Sequence, residues 1–331
     1  GYILILNHKN TPMIEQYLAI KNKYKDVLLF YRMGDFYELF FEDAIIASKA
    51  LDITLTKRGK SNGTDIPMCG VPFHSADNYL PKLIKKGFHV AVCEQTETPN
   101  EAKANGKKGP LKREVVRIIS PGTITEDNLL ESKANNFLGA IIKLNNAISI
   151  SWVDVSTGYF KSRNFDNKNN EINQKQLLNN FLLRMNFSEL LVSDAMNLDF
   201  IPEEWHKIIK RQPSSLFHYS VSLKQICSYY SIVSIDGIGI FNEGEIITAG
   251  VLLSYLNLTQ CGKIPILSIL KSETQNSYVE IDYFTQKSLE IVQNLSGDSE
   301  GSLISCIDET VTPFGARLLK QRILEPFYDI N

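Results

Sequence analysis

The 331 residues carry 35 Lys and Arg against 37 Asp and Glu, a net charge of −2, so the chain as a whole has no pull toward polyanions or anionic surfaces. At 44 % hydrophobic residues it can build two or three cored domains, and no run approaches the ~18 apolar residues of a membrane-spanning helix. The five cysteines (Cys69, Cys93, Cys227, Cys261, Cys306) are dispersed and form no CxxC pair, which argues against a disulfide framework or a zinc site and reads as reduced, cytoplasmic thiols. The charge is uneven: residues 1–113 hold 17 Lys and Arg against 12 Asp and Glu, and the remainder 18 against 25. A basic first third on an acidic remainder fits a nucleic-acid contact confined to one end, although ordinary scatter fits it as well.

The apolar opening, residues 1–6, lacks the basic segment and cleavage site of a signal peptide, and the missing initiator Met suggests a trimmed chain. Thr11-Pro12 has the form of an N-cap and first helical residue, with Met13, Ile14, Tyr17, Leu18 and Tyr24 as the apolar stripe. Two β-rich runs, residues 27–33 and 36–41, then flank Gly34-Asp35, which predicts a hairpin with a type II′ turn. Side chains alternate along a strand, so Phe36, Glu38 and Phe40 share one face and Tyr37, Leu39 and Phe41 the other. If the second set faces the core, Phe36 stands near the hairpin tip with a carboxylate beside it. Such an aromatic is either a wedge for stacked bases or an ordinary core residue.

A helix is predicted over residues 42–51, with Glu42 and Asp43 favoured in its first turn by the dipole, and a strand over 53–56. Residues 57–63 read as a basic, glycine-containing loop. Its Gly59-Lys60-Ser61 is no phosphate loop: the motif needs a glycine at position 54, which is Thr54, and no helix pattern follows. The loop is suited instead to holding DNA phosphates, contacts that position a protein without reading sequence. Residues 67–74 read as a turn-rich connector, 77–86 as a helix ended by Gly87, and 88–93 as a buried strand. His74 and His89 read as structural histidines. Residues 103–113 carry five cations without apolar periodicity and predict a mobile basic loop, followed by a strand over 115–119 and a linker over 125–132.

A second pattern starts at Asn136. Strands over 137–142, 147–154 and 159–162, a helix over 173–185 and a strand over 189–193 suggest a ribonuclease-H-like layout. That fold could host a metal nuclease, with Asp154, Asp166 and Asp194 as candidate ligands, but two-metal chemistry needs converging carboxylates and nothing in the spacing unites these three. A scaffold without an active site is the competing reading. Helices are predicted over 244–257, 284–295 and 314–324, and the chain stops at Asn331 as a helical pattern begins, which reads as the start of a larger helical domain.

Thr11-Pro12-Met13, residues 30–40, residues 55–59, residues 70–74, Cys93-Glu94-Gln95, residues 117–123 and residues 312–319 follow one another in the order found in the N-terminal part of the MutS family of bacterial mismatch-recognition proteins, and the chain resembles that family over nearly its whole length. The resemblance implies an α/β chain with a mixed-sheet mismatch-binding domain (1–122), a linker (123–132), a ribonuclease-H-like connector (133–262) and the start of an all-helical core or lever domain (263–331). It implies that Phe36 enters the minor groove and stacks on a mispaired or unpaired base while Glu38 hydrogen-bonds that base. Lys57, Arg58 and Ser61 would hold the backbone, Met33 and Met68 would line the groove, and Tyr37 would pack inward. The implied partners are duplex DNA with mismatches or small loops, MutL at the connector, and a second copy in the full-length homodimer, with this stretch alone monomeric and free of membrane contact. No cofactor is expected here; ATP and Mg2+ belong to the full-length family, whose ATPase region would lie beyond Asn331. Cys69 stands where a small residue such as Ala is usual, Ser288 replaces a common Asn, and residues 1–10 match nothing in the pattern.

Overall fold

The computed structural model describes residues 10–61, 63–104, 106, 109–124, 135–166, 171–273, 279, 281–324 and 326–327. The predicted linker, residues 125–132, lies outside them. The chain divides into two compact units, Gly1–Pro121 with Asn257–Lys263, and Gly122–Leu256 with Ile264–Asn331.

The first unit opens with α1 (Pro12–Lys21), whose Thr11 cap accepts from the Ile14 N–H at 3.4 Å; Tyr24 falls beyond its end. Strands β1 (Leu28–Met33) and β2 (Phe36–Phe40) pair antiparallel with Met33 opposite Phe36. Gly34 has φ +58° and Asp35 does not take positive φ, the signs a type II′ turn carries. Helix α2 (Phe41–Leu51) follows, then β3 (Thr56–Ser61), β4 (Thr64–Pro72), α3 (Ala76–Lys85), β5 (Val90–Gln95), α4 (Pro99–Ala104) and β6 (Arg113–Ile119). The sheet runs β3-β4-β2-β1-β5-β6, with β1 and β5 parallel and the other pairs antiparallel.

Several expectations change here. Residues 57–61 are an edge strand rather than a loop, because β4 supplies a hydrogen-bonding partner that composition does not reveal. The pairing slips between Lys57 and Lys60, where Gly59 takes φ +72°, so the glycine serves a bulge inside a strand. Residues 53–55 are irregular. Residues 67–72 belong to β4, which carries Pro67 and Pro72 despite lying between two strands; Pro72 sits at its end. The basic stretch 103–113 is helical at its start and β at its end, with residues 105, 107 and 108 outside the described set.

The second unit begins with a meander, β7 (Phe137–Leu144), β8 (Ala147–Asp154) and β9 (Tyr159–Phe165). Then come α5 (Glu171–Met185), β10 (Glu189–Ser193), β11 (Ile209–Gln212), α6 (Tyr219–Tyr230), α7 (Glu243–Thr259) and β12 (Lys271–Glu273). The order is β11-β10-β7-β8-β9-β12, with β10 parallel to β7, β11 to β10 and β12 to β9. Trp152, Phe165, Phe181 and Leu190 form a core on one face, and Leu138, Ala140, Val153, Leu252 and Leu256 another, so β7 and β8 are buried on both sides and read as apolar runs. This is the mixed α/β layout that the hairpin-then-helix pattern implies. The helices α8 (Tyr283–Ser288), α9 (Leu303–Ile307) and α10 (Pro313–Leu324) follow. The helix predicted over 284–295 stops early. Glu290 takes φ +50° and the Ile291 N–H turns back to the Gln286 carbonyl at 3.1 Å, a left-handed ending that sends the chain away.

Candidate nucleic-acid interface

Alternation along β2 sorts its side chains onto two faces, and the two are covered differently. On one face Tyr17 of α1 lies edge-on to Phe40 and Tyr31, at 5.0 and 5.5 Å between ring centroids. Leu29, Tyr31 and Phe40 are wholly buried there. On the other face Tyr37 packs on Phe30 at 5.6 Å, and Cys69 tucks under α2 with its thiol directed at the Ala44 carbonyl. Leu28 to Tyr31 are therefore all buried, not alternately so. Tyr17 is further held by Asp43, which accepts from its hydroxyl at 3.3 Å and from the Leu29 N–H at 3.0 Å and pairs with Lys21 at 2.8 Å.

Phe36 escapes this packing. It stands on the first residue of β2 at 46 % exposure, on the same face as Glu38 and Phe40. An exposed benzyl group beside a turn held by sheet on both sides is a projecting apolar tip. Met33 and Met68, opposite Phe36 and Phe40 respectively, are half-buried against the α1-side core.

Glu38 lies two residues in and is nearly buried. The Arg58 guanidinium reaches it from β3, with Nη1 at 2.5 Å from each carboxylate oxygen. Strand β4 lies between the two strands, and the residue opposite Glu38 on it is Gly70. Burial lifts the Glu38 carboxyl above its ordinary range, while Arg58 and, more weakly, Arg113 pull it down without cancelling the rise. Lys57 goes elsewhere. It pairs opposite Pro67, on the face away from Glu38, and its ammonium binds Asp65 at 2.9 Å. The Ser61 hydroxyl bonds Asn10 at 2.7 Å. The structure thus joins Phe36, Glu38 and Arg58, with Met33 and Met68 flanking, and leaves Lys57 and Ser61 at the outer strand.

One group was absent from the expectations. Arg32, on the face opposite Phe36, donates to the Gly34 carbonyl at 2.5 Å, stacks 3.4 Å from the centre of the Phe73 ring and approaches Glu94 at 3.8 Å. Tyr37 donates to the same Glu94, and burial with that bond holds its phenol above the usual range. The Phe73 N–H closes the brace on the Asp35 carbonyl at 2.8 Å. The turn under Phe36 is therefore fastened from behind. A signal was present: Arg32 is a charge inside an otherwise apolar strand run, which demands a partner.

Among the described residues of the second unit, the three candidate aspartates are not gathered into one group. Asp154 accepts from the Ser156 N–H and hydroxyl and Asp166 from the Asn164 side chain, each two residues away, whereas Asp194 accepts from the Ser214 N–H 20 residues on. Among the described residues no group of three His, Cys, Asp or Glu is placed to hold a metal ion. Nor is any helix of the described residues long and apolar enough to cross a membrane.

Comparison with known families gives three consecutive matches: MutS domain I over residues 11–128, MutS domain II over 136–268 and MutS domain III over 284–331. The chain is 46 % identical over 325 residues to a DNA mismatch repair protein MutS of Wolbachia pipientis wMel, covering 97 % of this chain and 37 % of that protein. Against the protein of the same name from Ruegeria sp. (strain TM1040) it is 47 % identical over 324 residues, covering 97 % of this chain and 36 % of that one. It therefore spans little more than a third of these relatives, and with three domain matches in order and near-complete coverage of its own length, the chain belongs to the MutS family and corresponds to its N-terminal part.

Proposed function

We propose that this chain recognises mispaired or unpaired bases in duplex DNA, with Phe36 as the wedge. One observation carries the reading: an aromatic side chain left exposed at a fastened hairpin tip, two residues from a nearly buried carboxylate. Separating stacked bases costs a few kcal/mol per step and least where pairing is already poor, so a mismatch is the cheapest place to insert a ring and kink the duplex. Glu38 hydrogen-bonds the displaced base and discriminates rather than tightens. Arg58, with Lys57 and Ser61 further out, meets phosphates, and Met33 and Met68 line the groove. Residues 1–122 form the mismatch-binding part, 133–262 the connector that docks MutL, and 263–331 the start of the helical core; the full-length protein works as a homodimer with ATP and Mg2+, and this stretch is not itself an enzyme.

Phe36→Ala in the full-length protein should abolish the preference for mismatched over matched duplex while salt-sensitive binding to both persists, because cationic contacts are blind to sequence. Titration of the variant with both duplexes is the measurement. An undiminished preference would end this reading.

A further inference from the structure

We propose that Arg58 is an exchanging counter-ion of the mismatch site: in the free protein it closes over Glu38, and on a mismatch it is released from the carboxylate to a DNA phosphate. The inference rests on the reading above and adds a residue that couples base recognition to backbone binding.

Four features carry it. A single guanidinium nitrogen lies 2.5 Å from both Glu38 oxygens and leaves that side chain 11 % exposed, so a base cannot approach the carboxylate while Arg58 covers it. Arg58 is itself 43 % exposed and stands on the outermost strand. Its neighbour Gly59 breaks the β3–β4 register at φ +72°, so this part of β3 is not held by a regular ladder. Finally, the pair spans β4 from the outermost strand, so it opens by rotating the Arg58 side chain outward without moving the sheet. Breaking the pair unaided would leave a nearly buried carboxylate alone, which is costly. A displaced base that offers Glu38 a hydrogen bond removes that cost and frees the cation for the backbone. On matched duplex no base offers itself and the pair stays closed.

The test is a double-mutant cycle in the full-length protein: wild type, Arg58→Met, Glu38→Gln and the double variant, each titrated with mismatched and matched duplex over a range of salt. If the pair opens on binding, Arg58→Met removes a phosphate contact but also the need to open the pair. It should then weaken mismatch binding at least about threefold less when Glu38 is present than in the Glu38→Gln background. In the Glu38 background it should also lower the salt slope of the mismatched complex by about 1 and leave that of the matched complex unchanged. Arg58→Lys should restore the slope, as a cation of different shape still neutralises one phosphate. Equal penalties in the two backgrounds, or a larger one with Glu38 present, mean that the pair persists on DNA and overturn the proposal. Because Phe36→Ala reports on the wedge independently, loss of coupling with an intact Phe36 effect refutes the exchange alone, whereas an intact mismatch preference in Phe36→Ala refutes the site.

Discussion

Glu38 is a carboxylate that the fold both desolvates and neutralises, and its chemistry follows from the balance. Burial outweighs Arg58 and Arg113, so the folded protein favours the protonated form more than the unfolded chain does. The contribution of such a group is fully present below the unfolded pKa and is lost as pH rises through the folded one. Glu38→Gln should therefore be at least as stable as wild type at pH 7, with the difference closing as pH falls below the ordinary Glu range of ~4; urea unfolding at both pH values checks it. On DNA the same variant should retain or strengthen overall binding while narrowing the gap between mismatched and matched duplex. The ionised carboxylate opposes every phosphate field, and only a displaced base offers a compensating bond, worth ~1–3 kcal/mol when one partner is charged. Binding curves at two salt concentrations decide it: equal weakening of both complexes would make Glu38 a purely structural residue of the hairpin.

At the scale of elements, the hairpin is a rigid mount. Its tip depends on Gly34, where φ is +58° and an added Cβ would meet nothing within 4 Å. Gly34→Ala should therefore cost only the backbone strain, ~1–2 kcal/mol, with the sheet intact, and Gly34→Asn should cost less because Asn tolerates that region. Gly250 in α7 is the opposite case. An added Cβ would lie 2.3 Å from the Ser222 Cα of α6, a backbone atom that cannot step aside. Gly250→Ala should consequently destabilise more than Gly34→Ala, by ~3 kcal/mol or more, since the two helices must separate. Chemical unfolding of the three variants reads both effects.

At the scale of the whole chain, chemistry and charge are divided between the two units. The basic excess of residues 1–113 accompanies the exposed Phe36, whereas the second sheet is buried on both faces and holds Glu189, Glu245 and Glu273 in buried bonds to Tyr255, Ser162 and Lys161. The proposed role of this scaffold is docking. Cross-linkers on cysteines introduced at surface positions of residues 133–262 should therefore capture MutL in the full-length protein. Labelling confined to residues 1–120 would refute this.

Local sequence determined the elements whose signals are local. Thr11-Pro12 starts a helix because a hydroxyl cap and a fixed φ act within one turn, Gly34-Asp35 makes the hairpin because glycine takes the required positive φ at no steric cost, and Asn145, a residue type that tolerates that region, takes it between β7 and β8. Period-two alternation placed Phe36 and Glu38 together on one face. What depends on contacts between distant residues was decided only in the folded chain. Residues 57–61 became a strand because β4 was there to pair with them, against a composition of lysine and glycine that reads as loop. The helix over 284–295 ended at Ser288, and the carbonyls of Glu290 and Ile291 beyond it accept instead from the distant Leu303 and Ile304 N–H groups at 2.9 and 3.0 Å. Above all, Arg58 and Glu38, separated by 20 residues and one intervening strand, met only because the sheet order put β3 and β2 on either side of β4. Sequence carries no signal for that encounter, since strand order is set by burial and loop closure over the whole domain and not by any residue of the pair.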